Sequence, residues 1–441
     1  MKNEREDINF RELQVKNIYG KFGLLSNPFP VTGIASEDPG FPFLDKRVTE
    51  ELALFVQDTY TRQFFGGFIV VGEYGYGKSY ILKHLERRIN EHLSMRGKDR
   101  ACAIYVINPR TSAGEFITSV LESFGIHNFL VMCWRLVTRR LNEEIRKQDT
   151  KLLEKLLPKP VQMDLFDYQA ASQTSFLKQD LLSNPMKFIE ECFRVKADIT
   201  EINRFARDTF LPIFKVPDIA EGLALLDKRG GEDSSIQWKE WLNFTKIKRI
   251  IKRDISEPEF FRALMTVFRE NGFRHVYILV DEFEDIWGLG KRERMDYLAS
   301  LRDIIECNLE YFSIILAVKS DEWMQVEESH PAFVERFSRR VELGDLTLEQ
   351  TEDMIASYLG SVRNKKVQHP SDLIYPFTHG GVREIVRKSA GVPRVTLELC
   401  YVLLEHVTRE DGLNLIDEAM AQKVETLRES LRLEDQKQLT I

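Results

Sequence analysis

At 441 residues, 43% of them hydrophobic and 30% charged, the chain is long enough for two or three packed units and too apolar to stay disordered. Its formal charge of −7 excludes a surface that attracts polyanions everywhere, so any nucleic-acid contact has to use a local basic patch. Five scattered cysteines with no CxxC pair or Cys/His cluster exclude a disulfide framework and a zinc site.

The charged opening Met1–Phe10 is unlike a signal peptide, and no apolar run approaches the ~20 residues that cross a bilayer. A cytoplasmic protein with reduced thiols and no membrane insertion is expected. Asp45–Arg62 predicts an amphipathic helix, with Val48, Leu52, Phe55 and Val56 recurring on one face. Phe68–Val71 predicts a short buried strand closed by a glycine-rich turn. Ser79–Arg96 predicts a helix, Ala101–Ile107 a second strand and Ala113–Phe124 another helix. Between about 128 and 258 the pattern is helical, with stretches at Phe129–Leu157 and Pro185–Phe193 and polar breaks at Asp164–Thr174 and Arg229–Ser235. Val276–Val280 is a continuous apolar run of the kind parallel central strands show. A helix at Lys291–Cys307 and a strand at Tyr311–Val318 follow. From Thr347 onward no strand is expected. Thr347 with Gln350 forms a capping box, and Met354, Ile355, Tyr358, Leu359 and Val362 share one helical face. Further helices are expected near His379–Ser389, Pro393–Thr408 and Ile416–Arg428. Strand–helix alternation followed by helices alone predicts an α/β fold, with a parallel sheet flanked by helices and a C-terminal all-α lid.

Gly72-Glu73-Tyr74-Gly75-Tyr76-Gly77-Lys78-Ser79 fits GxxxxGK[ST], with a β-run before it and an amphipathic helix after it. Glycines let consecutive N–H groups curl around a phosphate, and the following helix adds its positive end. Lys78 neutralises β- and γ-phosphates and the Ser79 hydroxyl ligates Mg²⁺. With Tyr80, the next residue, this stretch is the expected ATP site. Asp281-Glu282 follows the run Val276–Val280. A carboxylate ending a buried strand holds Mg²⁺ directly or through water, and Glu282 polarises the attacking water as general base. Glu284 and Asp285 extend the acidic stretch, but solvation alone does not explain an acidic pair straight after five apolar β-formers. The long interval from Lys78 to Asp281 predicts a helical insertion at about 128–258.

With both motifs placed, the sequence resembles the AAA+ ATPases, and most resembles the branch of replication initiators, transposition-helper ATPases and ExeA-type secretion ATPases. The segment Lys21-Phe22-Gly23-Leu24-Leu25-Ser26-Asn27-Pro28-Phe29-Pro30 is similar to the opening of the ExeA-like group. Ala390-Gly391-Val392-Pro393-Arg394 is similar to the G-x-P-R of the family's lid. The resemblance covers about 20–127 and 259–428. It implies an opening segment and helix on the core over 1–64, a P-loop AAA+ nucleotide-binding domain over 65–343, a lid over 344–430 and a tail over 431–441. Arg394 then corresponds to the sensor arginine that reaches from the lid to the γ-phosphate. Arg336, in Glu335-Arg336-Phe337, lies where the family has its trans-acting arginine, with Arg339 and Arg340 as competitors. Lys319-Ser320 stands where the family places a polar Asn or Thr, which leaves Ser320 to orient the water or Lys319 to contact phosphate. The family also implies a homo-oligomer, ring or filament, with ATP between subunits.

Lys246, Lys248, Arg249, Lys252 and Arg253 alternate with Ile247, Ile250 and Ile251. On a helix the isoleucines share one face, so the run is either a DNA-contacting helix or a solvated face over an apolar stripe. Trp238, Trp241 and Phe244, at spacing three, fit a helical core face better than a base-stacking platform. No helix-turn-helix candidate follows the lid, and the eight histidines form no HExxH or nucleophile triad. The expected activity is ATP hydrolysis coupled to DNA-associated assembly or remodelling, of a mobile-element or anti-phage defence type. The alternative is a protein-remodelling or nucleotide-switch subunit acting on a protein partner without DNA contact.

Overall fold

Among the described residues five strands pair side by side, all parallel: β1 (Gly66–Val71), β2 (Arg100–Val106), β3 (Phe273–Val280), β4 (Phe312–Val318) and β5 (Arg339–Glu342). Their order is β2-β3-β4-β1-β5. The computed structural model describes residues 17–31, 45–93, 100–147, 182–194, 197–224, 255–364, 372–410 and 412–428. These fall into two compact units, one of Glu50–Val71 and Ile81–Glu342, the other of Met1–Thr49, Gly72–Tyr80 and Leu343–Ile441.

In the first unit the central strands are buried along most of their length because both faces of the sheet are covered. One face meets α1 (Lys46–Arg62) through Phe55, whose ring lies 5.0 Å from that of Phe68, and through Thr59, whose hydroxyl is 3.1 Å from that of Tyr277. Within α2 (Lys78–His92), the Asn90 amide bonds both the N–H and the carbonyl of Ala103 in β2. The opposite face carries Ile69, Ile104, Ile278 and Ile314, packed with α3 (Ala113–Phe124) and α4 (Ile126–Arg146).

The described helices of the expected insertion are the rest of α4, α5 (Pro185–Arg194), α6 (Ile199–Phe214) and α7 (Pro217–Ala224). Trp134, Phe188, Phe210 and Leu223 join the same apolar core as the sheet. That core is completed by α8 (Glu257–Glu270) and α9 (Lys291–Glu306), with α10 (Ser320–Ser329) and the short α11 (Pro331–Val334). The polar breaks at 164–174 and 229–235, the aromatics Trp238, Trp241 and Phe244, and the basic run 246–253 lie outside the described residues. No single helix among the described residues is long and apolar enough to cross a membrane.

The fifth strand was not expected. Arg339-Arg340-Val341-Glu342 buries only Val341, since it pairs on one side alone, with β1, and a sheet edge demands no apolar run.

The second unit is helical: α12 (Leu348–Ser361), α13 (His379–Ser389), α14 (Pro393–Arg409) and the short α15 (Glu418–Gln422). The capping box of Thr347 with Gln350 starts α12 as expected. The opening residues 17–31 pack among these helices. Phe22, Leu24 and Phe29 share a core with Ile355, Leu359, Phe377 and Leu403. The fold is therefore the α/β arrangement with an all-α C-terminal unit that the sequence predicts.

Candidate nucleotide site

Gly75 and Gly77 adopt φ of +89° and +91°, a region closed to residues with a β-carbon except at a cost, so the loop curls where its glycines stand. The Tyr76 N–H closes a turn on the Glu73 carbonyl at 3.3 Å. Helix α2 begins at Lys78, which places Ser79 and Tyr80 in its first turn, where helix N–H groups remain available to an anion. Lys78 is 8% exposed, and its ammonium donates to the carbonyls of Gly72 at 2.8 Å and Glu73 at 3.3 Å. A buried cation folded over a glycine turn at a helix N-terminus suits the oxygens of a polyphosphate.

Arg394 enters this loop from the second residue of α14. Its N–H donates to the Gly75 carbonyl at 3.2 Å, and its guanidinium donates to the Tyr74 hydroxyl. Pro393 begins the helix, with its missing N–H where no helical bond is required. On the other side of the loop, the Tyr76 hydroxyl donates to Asp345 at 2.8 Å, and that bond raises the pKa of the phenol, with burial adding to it.

In the sheet unit, Asp281 is 3% exposed at the end of β3. Its N–H extends the ladder to the Val106 carbonyl at 2.8 Å. One carboxylate oxygen accepts from the Tyr105 hydroxyl at 2.6 Å, the other from the Glu282 N–H at 3.0 Å. A fixed, buried carboxylate of this kind suits Mg²⁺, a hard cation that takes few protein ligands. Glu282 is exposed and turns out of the strand with φ 51° and ψ 37°. Strand β4 lies between β1 and β3, so Lys319 and Ser320, which follow it, share this C-terminal edge with Asp281. Burial works against the charge of Lys319, but Glu322 and Glu284 outweigh it and hold its pKa up; the ammonium is 3.6 Å from Glu322. Glu322 is itself raised, by burial first and by Glu284 and Asp321 against the pull of Lys319. Ser320 is half-buried at the first position of α10.

The three arginines near β5 are distinct. Arg339 and Arg340 belong to the strand and pair with Asp58 at 3.2 Å and Glu327 at 3.4 Å. Arg336 precedes it and pairs with Glu306 at 2.7 Å. Its carbonyl presses on the start of β1, where a β-carbon on Gly67 would stand 2.2 Å away. By strand pairing Gly67 is level with Ile314, whereas Asp281 follows Val280, which is level with Leu316. Arg336 thus sits about 10 Å along the strands and about 10 Å across them from Asp281.

Sequence reasoning missed Tyr105 and Asp345. Tyr105 reads as one more strand aromatic, and only the pairing of β2 with β3 sets it opposite Leu279, two residues before Asp281. Asp345 carries no motif.

No family model matches the chain, and no curated protein does. Among solved structures it is similar to the Aeropyrum pernix ORC2 protein in its ADPNP–ADP complexes. The TM-score is 0.46 and the identity 10%, over 89% of this chain and 70% of that one. So remote a likeness carries no argument, and the reading below stands on this chain's own residues.

Proposed function

We propose that the chain is a Mg²⁺-dependent ATPase, and the observation that carries the reading is the buried Lys78 ammonium folded over a glycine loop at a helix N-terminus. The loop N–H groups and Lys78 bind phosphate oxygens, and Ser79 with Asp281 offers oxygen donors to the metal. Mg²⁺, when bound, neutralises charge on the phosphates. Glu282 takes a proton from the attacking water as general base, while Ser320 or Lys319 orients the reacting groups. Arg394 adds its charge at the terminal phosphate. Arg336, too far from its own subunit's Asp281 to serve it, acts on a neighbouring copy's nucleotide in a ring or filament. Hydrolysis is coupled to DNA-associated assembly or remodelling, of a mobile-element or defence type, through the basic run Lys246–Arg253. The net charge of −7 favours the second reading, a subunit that remodels or switches a protein partner.

The deciding experiment is ATP turnover by the purified chain, alone and with duplex or single-stranded DNA, with Glu282→Gln as control. Turnover stimulated by DNA, lost in Glu282→Gln and lost on charge reversal of Lys248, Arg249 and Lys252, is the expected result. Turnover indifferent to DNA selects the protein-partner reading. Failure to bind ATP at all sinks both.

A further inference from the structure

Both tyrosines of the phosphate loop are engaged by the C-terminal helical segment. The Arg394 guanidinium lies 4.6 Å over the Tyr74 ring and also donates to the Tyr74 hydroxyl, so ring face and phenolic oxygen grip the same group. The backbone on either side is tight. A β-carbon on Gly75 would stand 3.1 Å from Arg394 Cβ and 3.3 Å from Val392 Cγ1. Tyr76 is tied to Asp345, in the segment leading into α12, and the Leu346 N–H is bonded to the Gly391 carbonyl at 2.8 Å. The loop therefore holds the start of α14 at several points, and Tyr74 touches the arginine's charged end.

A free arginine side chain samples many rotamers, and fixing it at one spot costs entropy. A carboxylate can fix it, as Glu306 fixes Arg336, but a carboxylate also cancels much of its charge. An aromatic face and a neutral hydroxyl fix a guanidinium without themselves neutralising it. Tyr74 is 69% exposed, so its ring gains little from burial, and its contact with Arg394 accounts for an aromatic at an otherwise open loop position.

We propose that Tyr74 is a positioning residue: it holds the Arg394 guanidinium at the rim of the phosphate loop, so that this pair distinguishes a nucleoside triphosphate from a diphosphate. The inference rests on the reading of Arg394 as a terminal-phosphate contact. Its test is equilibrium binding of ADP and of a non-hydrolysable ATP analogue, with Mg²⁺, to the full chain and to Tyr74→Ala, Tyr74→Phe, Arg394→Ala and the double Tyr74→Ala/Arg394→Ala variant. Arg394→Ala lowers the preference for the triphosphate about tenfold, as expected for one lost charged contact. Tyr74→Ala lowers it about fivefold, its loss of triphosphate affinity exceeding any loss of ADP affinity by that factor, and Tyr74→Phe, which keeps the ring, retains most of it. The double variant is no worse than Arg394→Ala, because the tyrosine has no other route to the phosphate. Equal losses for both nucleotides in Tyr74→Ala would overturn the proposal, since the ring would then only shape the loop. Unchanged preference in Tyr74→Ala beside a loss in Arg394→Ala would overturn it too, leaving the role of Arg394 intact. No effect of Arg394→Ala removes the underlying reading together with the proposal.

Discussion

Glu282 combines two features that rarely coincide. Its side chain is exposed, so burial does not demand it, yet its backbone sits at φ 51° and ψ 37°, which a residue with a β-carbon adopts at a cost of about 1–2 kcal/mol. Strain retained where burial does not demand the residue motivates testing a role for the side chain. The turn follows from the ladder: Asp281 makes the last β-type bond, to Val106, and its side chain then accepts the Glu282 N–H. Glu282→Gly relieves the strain but gives the unfolded chain about 0.5–1 kcal/mol of extra freedom, so a net gain of ~0.5 kcal/mol in denaturant unfolding is expected. Turnover should vanish in Glu282→Gly and in Glu282→Gln alike, while Glu282→Gln leaves stability unchanged. A glycine variant that hydrolyses ATP at the normal rate would remove the general-base assignment.

At the scale of elements, the opening segment is the least expected contributor. Lys21 donates to the Val407, Glu410 and Leu413 carbonyls at and beyond the end of α14, where the helix dipole favours a cation. Tyr19 and Asn27 bond the buried Glu405, and burial, then that hydrogen bond, pushes the Tyr19 phenol upward. Phe29 stacks on Tyr358 at 5.7 Å and meets Phe377 edge-on at 5.8 Å. Truncating a buried phenylalanine costs about 3–5 kcal/mol, enough to free a segment this short. Phe29→Ala should therefore lower hydrogen-exchange protection in α12 and α14; full protection there would mean that the segment merely rests on them. Elements with local signals were legible in the sequence: the glycine turn between a strand and a helix, the helix Ala113–Phe124 and the helix His379–Ser389. Features set by distant pairing were not. Strand β5 buries one residue, Tyr105 reaches Asp281 only through strand register, and Tyr74 meets Arg394 across a sequence separation of 320. No periodicity encodes such contacts, because neither partner's neighbours change character.

For the whole molecule, the position of Arg336 bears on assembly. Its carbonyl is locked against Gly67, so the residue cannot migrate toward the Asp281 edge of its own sheet without displacing β1. Its side chain is 37% exposed and carries an ion pair with the similarly exposed Glu306, a surface pair worth little once a phosphate competes. A neighbour docked head to tail would present its nucleotide to this arginine, and every interface in a closed ring would be the same. Arg336→Ala should then reduce turnover about 10³-fold, in the range of a lost trans-acting arginine, with ATP affinity nearly retained. Mixing separates action in trans from a structural role. Glu282→Gln subunits lack the base but keep the arginine, and Arg336→Ala subunits have the reverse. In a random equal mixture about one head-to-tail interface in four joins an intact base to an intact arginine, so about a quarter of wild-type turnover should return from two inactive proteins. If the mixture stays as inactive as its components while both still assemble, Arg336 acts within its own subunit or not at all, and Arg339 and Arg340 become the arginines to test.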